Sequence, residues 1–418
     1  ASRQGAELSV VRQSLVKLRT LRDNAHMNSD FDVIIVGGGL AGLSLAVALR
    51  ANHLSVAVVE GRTPVAPAAP IASGGWDVRV YAVSPGNVRF LEEIGIWRHF
   101  DAARLTPIRT MEVFGDAGGR LDFSAYDSGV DALAWIVEAS LMQRELWETA
   151  MRQGNVTLFC PARPQALEFD AAAARLLLDD GKTLTARLIV AADGADSWTR
   201  QAAGIEVDFQ PYGQMGVVAN FTCARPHASV ACQWFRADGV LAWLPLPDNM
   251  LSMVWSTPDA QAQELLSLPA EEFARRVAEA GEWRFGELTL VTPPTAFPLR
   301  LMRAPRTIAP RLALIGDAAH TIHPLSGHGI NLGFKDAQTL AQMLVERPDF
   351  VDCGDMHWLR RYERSRIEEV VALQSTTHAL QRLFQPQSST LAWLRNSGLN
   401  LVNALPVVRS SLARYALD

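Results

Sequence analysis

The sequence is poor in cysteine and carries no excess of positive charge. Its 418 residues include four cysteines, none of them in a C-x-x-C pair: Cys160, Cys223, Cys232 and Cys353. This usage argues against a disulfide framework and is typical of a reducing compartment, so we expect a cytoplasmic protein. The formal net charge of −5 provides no basic stripe for phosphates, so no nucleic-acid partner is expected.

Internal repeats, low-complexity tracts and long apolar runs are also missing. The best candidate for a membrane span, Val33–Leu49, lies between Asp32 and Arg50 and is interrupted by glycines, whereas a span needs about 20 apolar residues. A hydrophobic content of 49 % with 20 % charged residues indicates instead a compact fold, and the length allows two or three domains.

The stretch from Phe31 to Arg62 organises the chain. Phe31–Val36 predicts a buried strand, which leads into a G-x-G-x-x-G motif, a helix over Leu43–Arg50 and a second strand over Ser55–Val59. Glycines placed in this way between two strands, with an acidic residue after the second strand, are a strong signature of an adenine dinucleotide site. The stretch alone does not distinguish FAD from NAD.

Each glycine of this motif has a physical role. Gly37 allows a tight turn, Gly39 lets the backbone approach a pyrophosphate, and Gly42 lets the helix pack closely on the strand. The following helix turns its free N–H groups and the positive end of its dipole toward the phosphates. Glu60, about 20 residues farther on, is placed to accept hydrogen bonds from ribose hydroxyls.

Two later segments repeat the pattern of a short apolar strand followed by a loop that contains glycine. Arg187–Ala192 predicts a buried strand that ends at Asp193-Gly194, and Arg311–Ile315 predicts another that ends at Gly316-Asp317. The second of these loops is rich in glycine and leads into a helix. The N-terminus of that helix therefore offers a further site for an anionic group.

The region between these two segments has a different hydrophobic pattern. Short alternating runs separated by Pro, Asp and Gly predict an antiparallel sheet: Val217–Cys223, Val230–Phe235, Val240–Leu246 and Met250–Trp255. Trp234, Trp243 and Trp255 fall in it. We expect them to pack in a core, with a place in the wall of a hydrophobic substrate cavity as the alternative.

Three separated motifs together resemble one enzyme family. They are Gly37–Gly42 with Glu60, Ala192-Asp193-Gly194 with Ser197 and Arg200, and GDAAHTIHPLSGHGINLGFKDA from Gly316 onward. The set resembles the FAD-dependent aromatic hydroxylases of the p-hydroxybenzoate hydroxylase type. Within them it is similar to the ubiquinone-biosynthesis hydroxylases, the UbiH/UbiF/UbiI group, from about Asp32 to the C-terminus.

The resemblance implies an α/β fold. A Rossmann-like FAD-binding domain would carry an inserted antiparallel-sheet substrate domain and a helical C-terminal segment. In chain order we expect a leader or expression-derived extension (1–26), the first part of the FAD-binding domain with strand segments contributed to the substrate domain (27–203), the antiparallel substrate domain (204–304), the second part of the FAD-binding domain (305–350) and the C-terminal helices (351–418).

The resemblance also implies which residues form the site. Pro324, Gly327 and Gly329 would lie along the isoalloxazine and are the expected catalytic positions. The expected cofactor-binding residues are Gly37, Gly39, Leu40, Ala41, Gly42, Glu60, Arg79, Gln143, Asp193, Asp317, Pro324, Gly329, Ile330 and Asn331. The sequence departs from the family pattern at His328, where Gln is usual, and at Ala139, where Asn is usual.

The implied reaction uses bound FAD, with NAD(P)H and O2 as co-substrates. NAD(P)H would reduce the flavin and leave, since no second G-x-G-x-x-G gives it a domain, and oxygen would form a flavin 4a-hydroperoxide that hydroxylates an electron-rich ring. The expected substrate is a polyprenyl phenol of ubiquinone biosynthesis, and a biosynthetic complex or homo-oligomer is the expected assembly. The alternatives are another small phenol, a flavin dehydrogenase or reductase, and a non-catalytic flavoprotein scaffold.

Three histidines near the last motif, His320, His323 and His328, are not expected to bind a metal. No cysteine stands beside them, and proline and glycines break the helix that would align the rings. We expect structural hydrogen bonds, with deprotonation of a phenol as the alternative. Gly181-Lys182-Thr183 predicts a hairpin turn and not a phosphate loop.

Two segments are considered for membrane contact. Residues 1–26 have a basic amphipathic pattern, but we expect a helix that packs locally or not at all. Leu391–Leu405 is apolar with Arg395 and Arg409 nearby, and it is the candidate for peripheral contact with the inner membrane, where a prenylated phenol would reside. A helix buried against the FAD domain or a partner subunit is the alternative.

Overall fold

The computed structural model describes residues 29–51, 53–64, 75–322, 329–384 and 389–405, so the predicted extension 1–26 lies outside the described residues. The strands are β1 (Phe31–Val36), β2 (Val56–Val59), β3 (Val80–Val83), β4 (Thr106–Ile108), β5 (Thr110–Phe114), β6 (Arg120–Ser124), β7 (Ala134–Glu138), β8 (Val156–Phe159), β9 (Pro164–Phe169), β10 (Ala174–Leu178), β11 (Thr183–Ala191), β12 (Gln210–Cys223), β13 (Val230–Arg236), β14 (Gly239–Leu246), β15 (Met250–Pro258), β16 (Leu288–Leu290), β17 (Thr295–Arg303), β18 (Ile308–Ala309), β19 (Leu312–Leu314) and β20 (His320–Thr321). The α-helices are α1 (Leu40–Ala48), α2 (Pro85–Glu93), α3 (Ala125–Ser128), α4 (Ala139–Met151), α5 (Trp198–Ala202), α6 (Asp259–Ser267), α7 (Ala270–Ala280), α8 (Gly329–Val345), α9 (Met356–Phe384) and α10 (Ser389–Asn403).

The first sheet brings the three sequence motifs together. Its strand order is β18-β19-β11-β1-β2-β8, with β10 on β11 and β9 on β10, and β1 pairs in parallel with β2 and β11. The register places Val36 beside Ala191, and Ala191 beside Leu314. The loops after β1, β11 and β19 therefore leave the sheet at one edge, the edge where α/β sheets bind ligands.

The second sheet has the order β20-β17-β12-β15-β14-β13-β5-β6, with β16 on β12. Its strands pair antiparallel, except that β5 runs parallel to β13. Trp234, Trp243 and Trp255 lie in the core between this sheet and α6 and α7, each at most 3 % exposed, so the expected core packing is confirmed. Because side chains alternate along a strand, the residues next to these tryptophans in their strands face the other side of the sheet.

One helix of this region is absent from the sequence prediction. The sequence predicts a helical segment over Pro269–Glu282, which the structure contains as α7, but α6 also follows directly after β15. Among the residues of α6, only Ala262 and Leu265 are buried. Two buried positions are too few to give a clear helical period, which explains why the pattern was not recognised.

A third, separate sheet of order β3-β7-β4 packs through β4 and β7 against β14 of the second sheet. Its strand β7 ends at Glu138, which pairs with Arg104 through two hydrogen bonds of 2.7 Å and accepts a third from the backbone N–H of Asp77. Asp77 in turn accepts from the N–H of Ser140 in the first turn of α4. The N-terminus of α4 is thereby fixed beside the loop edge of the first sheet.

The last two helices pack on different parts of the molecule. Tyr362 on α9 donates its hydroxyl hydrogen bond to the carbonyl of Leu314 at 2.9 Å, so α9 lies against the first sheet. The helix α10 lies along β6, the outer strand of the second sheet, and Leu399 and Val402 pack against that sheet. None of the described helices is both long and apolar enough to cross a membrane.

Asparagine side chains hold α10 to the edge of the second sheet. Asn396, Asn400 and Asn403 are spaced about one turn apart, and each accepts a hydrogen bond from a backbone N–H of the β5–β6 hairpin. The donors are Gly119 at 2.8 Å, Arg120 at 2.9 Å and Asp122 at 3.0 Å. Helix side chains thus satisfy backbone donors that a further strand would otherwise pair with.

Candidate active site

A cavity of about 1200 Å³ lies between the loop edge of the first sheet and the inner face of the second. One end is lined by predicted cofactor residues, namely Gly39, Leu40, Ala41, Arg79, Gln143, Asp317, Gly329, Ile330 and Asn331. The other end is lined by residues of the second sheet, among them Met111, Ala231, Gln233, Ala242, Leu244 and Val254. One space therefore connects the dinucleotide motif with a mostly apolar sheet face.

Close contacts explain two glycines of the loop after β1. Gly37 has a φ of +112°, and a Cβ there would lie 2.3 Å from the carbonyl oxygen of Ala192. A Cβ on Gly42 would lie 2.1 Å from the carbonyl oxygen of Gly37. Gly39 is different, because no atom of the described residues lies within 4 Å of its ideal Cβ position. The loop is tight toward the protein and open toward the cavity at the start of α1, as an approaching pyrophosphate requires.

Two side chains hold this glycine loop: Glu60, which does not line the cavity, and Gln143, which does. Glu60 Oε2 accepts from the N–H of Gly38 at 2.6 Å, and Oε1 accepts from the N–H of Arg62 at 2.9 Å. Gln143 on α4 donates from Nε2 to the carbonyl of Gly38 at 3.1 Å. The Glu60 carboxylate therefore lies beside the loop and holds its backbone.

Arg79 and Asp317 bring opposite charges to the same end of the cavity. Desolvation by the surrounding protein raises the pKa of the Asp317 carboxyl, although the residue is exposed at the cavity, while the nearby His320 and Arg79 oppose this rise. Tyr81 lines the cavity beside them, and burial raises the pKa of its phenol above the ordinary value, against the effect of Arg79. At neutral pH, Tyr81 is therefore a neutral hydrogen-bond donor near Arg79 and Asp317.

The side chain of Asp193 organises its own loop. Its carboxylate accepts from the Ser197 hydroxyl, and from both the backbone N–H and the hydroxyl of Thr199 at 2.9 Å. The neighbouring Gly194, with φ +83°, lines the cavity. The structure thus places Gly194 at the cavity, whereas Asp193 caps α5.

Arg200 joins the second and third motifs. Its side chain is fully buried, Nη1 donates to the carbonyl of Ala318 at 2.9 Å, and Nη2 donates to that of Ala195 at 2.9 Å. The guanidinium therefore holds the loop after β11 against the loop after β19. The sequence motif contained Arg200 but gave it no role.

A buried charge network lies behind the third motif. His320 Nε2 is 2.8 Å from Asp336 Oδ2, and Arg366 donates from Nε to Asp336 Oδ1 at 2.7 Å. Asp336 also accepts from the N–H of Gly316 at 2.9 Å. Burial opposes a charged imidazole, but the Asp336 carboxylate prevails and raises the pKa of His320. His320 has a structural hydrogen bond, as expected, while Asp336 and Arg366 were missed by sequence reasoning.

Asn331 ties the start of α8 to the loop before α2. Its Oδ1 accepts from the N–H of Ser84 and from Nδ2 of Asn87, both at 3.0 Å, and its Nδ2 donates to the carbonyl of Ala82 at 2.8 Å. The side-chain amide is occupied by protein partners. The backbone of Asn331, at the first turn of α8, is the part left for a ligand.

The remaining predicted residues divide into two groups. Pro324, Gly327, His323 and His328 lie in 323–328, outside the described residues. Ala139 lines the cavity, and its methyl side chain offers no hydrogen bond, whereas its backbone N–H donates to the carbonyl of Arg79 at 3.0 Å. Among the residues that the structure describes, no group of His, Cys, Asp or Glu side chains is arranged to hold a metal ion.

The shape of the site and the comparisons with known proteins agree. The open Gly39, the helix N-termini and the carboxylate beside the loop fit an adenine dinucleotide, and residues 30–373 match the family described as FAD binding domain. The protein belongs to this family. It is 32 % identical over 392 residues to 3-demethoxyubiquinol 3-hydroxylase of Escherichia coli, which covers 93 % of this chain and 99 % of the relative. It is 33 % identical over 387 residues to the ubiquinone hydroxylase UbiL of Rhodospirillum rubrum, covering 92 % and 89 %.

Solved structures share the fold. PqsL of Pseudomonas aeruginosa in complex with 2-aminobenzoylacetate superposes with a TM-score of 0.73 at 26 % identity over 88 % of this chain and 99 % of PqsL. The p-nitrophenol 4-monooxygenase PnpA of Pseudomonas putida gives 0.75 at 17 % identity, over 94 % and 99 %, and bears on the fold alone. The expected fold class and the identification as an FAD-dependent monooxygenase, with NAD(P)H and O2 as co-substrates, are confirmed.

Proposed function

We propose that this monooxygenase hydroxylates the ring of a polyprenyl phenol in ubiquinone biosynthesis. The observation that carries the proposal is the single cavity that joins the glycine loop to the apolar face of the second sheet. Two relatives that match most of the chain are named as ubiquinone-pathway hydroxylases. A ring held on the sheet face would lie next to the flavin end of the same space.

The proposal assigns roles to the residues of the flavin end. The α1 N-terminus at Gly39 would hold the pyrophosphate, Glu60 would accept from the adenosine ribose, and Asp317 from the ribityl chain. Arg79 would offset the charge of the phosphates. The first turn of α8, from Gly329, would direct N–H groups at the pyrimidine edge of the isoalloxazine, where negative charge gathers on reduction.

FAD, when bound, supplies the oxygen activation that no side chain can supply. The chain contributes positioning and a dry space. The lining of the sheet end is mostly aliphatic, and it excludes water that would divert the oxidising equivalent to hydrogen peroxide. Tyr81, neutral at working pH, is available to donate a hydrogen bond at this boundary.

The decisive experiment measures NAD(P)H oxidation in air by the FAD-loaded protein. We expect a prenylated phenol to stimulate oxidation and to yield a hydroxylated ring, identified by mass spectrometry. A shorter phenol converted equally well would favour the small-phenol alternative. Oxidation only with an added acceptor would indicate a dehydrogenase, and a flavin that NAD(P)H never bleaches would indicate a scaffold.

Access for a membrane-resident substrate is a second part of the proposal. Leu401, in the last turn of α10, and Leu405, just after the helix, are 63 % and 44 % exposed, and we assign them to contact with a lipid surface. In flotation with phospholipid vesicles, Leu401→Glu with Leu405→Glu should lower the bound fraction several-fold. Phe350→Glu, at another exposed position, is the control. Equal flotation of all three proteins would remove membrane contact from the proposal.

Assembly with other pathway enzymes or into a homo-oligomer stays a prediction. Sedimentation velocity of the holoenzyme measures the number of copies, and addition of partner enzymes tests the complex.

A further inference from the structure

Gln233 places an amide in the apolar sheet wall of the cavity. It lies on β13, is 5 % exposed and lines the cavity. Its neighbours Cys232 and Trp234 belong to the core on the helix-covered face, so alternation along the strand directs Gln233 to the cavity. Across the sheet its row continues with Ala242, Val254 and Val218, all of which also line the cavity and carry no polar side-chain atom.

The amide of Gln233 is without a protein partner. In the part of the chain that the structure describes, it neither donates nor accepts a hydrogen bond. The other buried glutamine among the described residues, Gln374, donates to the carbonyls of Met302 and Thr321 at 3.0 Å. A ligand that fills the cavity removes water from this amide, so a ligand that supplies a hydrogen-bond partner binds more tightly than one that leaves the amide unpaired.

Charge is scarce on this wall. Among the described lining residues that the second sheet contributes, Arg300 is the charged one. Its Nη2 is 2.6 Å from Asp196, and its guanidinium stacks 4.2 Å from the centre of the Phe209 ring. A carboxylate on the bound ring would therefore find no uncompensated cation here, and its desolvation would be costly.

We propose that Gln233 positions the substrate through an oxygen on its ring, and that the wall selects an uncharged ring that bears a hydroxyl or methoxy group but no carboxylate. The inference rests on the proposed function and adds the substrate class to it. A primary amide both donates and accepts, so it pairs with a phenol or with an ether oxygen. The same amide disfavours a ring that lacks the oxygen, because that ring leaves it buried and unpaired.

The test is a binding measurement on the FAD-loaded protein without NAD(P)H, read as the change in flavin absorbance. Three ligands that carry the same prenyl tail are compared. The first is a phenol, the second is the corresponding benzene without the hydroxyl, and the third is the corresponding 4-hydroxybenzoate, which adds a carboxylate. For Gln233→Met, which keeps the length of the side chain, we expect the phenol to bind about tenfold more weakly and the benzene to bind unchanged. Wild-type protein should bind the carboxylate at least tenfold more weakly than the phenol.

Gln210→Leu, an exposed glutamine on β12, is the matched control and should change neither affinity. Gln233→Asn is the second variant, which keeps an amide but shortens it and should lose part of the phenol affinity. Under turnover, Gln233→Met should release a larger share of hydrogen peroxide per NAD(P)H. An equal loss for phenol and benzene, or no loss, overturns the role of Gln233, and tight binding of the carboxylate overturns the uncharged-ring class.

The two proposals fail differently. Binding can be measured whether or not the ring is hydroxylated, so wild-type protein that binds phenols without converting them defeats the proposed function alone. Conversion by both wild type and Gln233→Met with the same affinity and the same peroxide yield defeats Gln233 alone.

Discussion

Arg200 donates to the carbonyl of Ala318 across two loops that are far apart in the sequence. The carbonyl of Ala195 takes the second hydrogen bond, so the fully buried guanidinium is the link between the Asp193 loop and the Gly316 loop. Both loops line the flavin end of the cavity. Pairing of β11 with β19 already brings these loops side by side, and Arg200 adds a further link between them from a side chain that does not itself face the ligand.

Replacing Arg200 by methionine should destabilise the protein and loosen the cofactor site together. The change removes the hydrogen-bond donor of the buried Ala318 carbonyl and of the part-buried Ala195 carbonyl, for which we expect a loss of about 3 kcal/mol in the free energy of unfolding. FAD affinity should fall as well, because the side-chain link between the two loops is lost. Urea unfolding and FAD titration measure the two effects. Arg306→Met, at an exposed position, should change stability by less than about 0.5 kcal/mol, and equal behaviour of both variants would contradict the link.

Two glycines of one loop should respond in opposite ways to alanine. Gly37→Ala puts a Cβ 2.3 Å from a carbonyl oxygen at a φ of +112°, so the FAD-free protein should be destabilised by about 2 kcal/mol or more. Gly39→Ala meets open space and should leave the FAD-free protein unchanged, yet lower its FAD affinity because the methyl group lies where the pyrophosphate approaches. Thermal unfolding without FAD, followed by FAD titration, separates the two. Full FAD affinity in Gly39→Ala would argue against the assigned pyrophosphate site.

The ion pair of His320 and Asp336 should make stability depend on pH. The folded-state pKa of His320 is raised above its ordinary value of 6.5, so its contribution is complete below that value and is lost as the pH rises through the higher folded pKa. The free energy of unfolding should therefore fall from about pH 6.5 upward more steeply in the wild type than in His320→Gln. At low pH the variant should be less stable by about 3 kcal/mol.

The Asp336 carboxylate of this pair makes stability depend on pH in the acidic range. Burial opposes its ionisation, but His320 and Arg366 lower the pKa of Asp336, so its contribution is lost only as the pH falls below the usual range for aspartate. The neutral-to-alkaline slope is accordingly the signature of His320. Identical slopes for wild type and His320→Gln in urea unfolding at each pH would show that the pair does not titrate as expected.

The asparagines of α10 should protect the edge of the second sheet. Asn400→Leu with Asn403→Leu removes the acceptors for the N–H groups of Arg120 and Asp122, which we expect to exchange with deuterium at least tenfold faster. Leu401→Asn changes the exposed side of the same helix and is the control. Unchanged exchange in the double variant would mean that α10 is held by its apolar contacts alone.

Much of the flavin end could be predicted from the sequence because its signals are local. Gly37, Gly39 and Gly42 are forced by turn geometry and close approach, which a short motif records. The interior partners are different. Asp336 lies in an apolar helix pattern and Ser84 begins an ordinary helix, and only the tertiary contacts with His320 and Asn331 give them a role. Gln233 is likewise one polar residue in an alternating strand, and its direction depends on which face the helices cover.

The pairing of Val36 with Ala191 and of Ala191 with Leu314 has a consequence for how such enzymes diversify. Hydrogen bonds between neighbouring strands hold the three loops in place, whatever length of chain separates them. The part of the chain from β12 to β17 can then change its residues, or gain and lose pieces, while the residues that bind the cofactor stay the same. Binding a new aromatic substrate would require changes in the cavity-facing side chains of the second sheet, whereas the three loops at the cofactor site could stay the same.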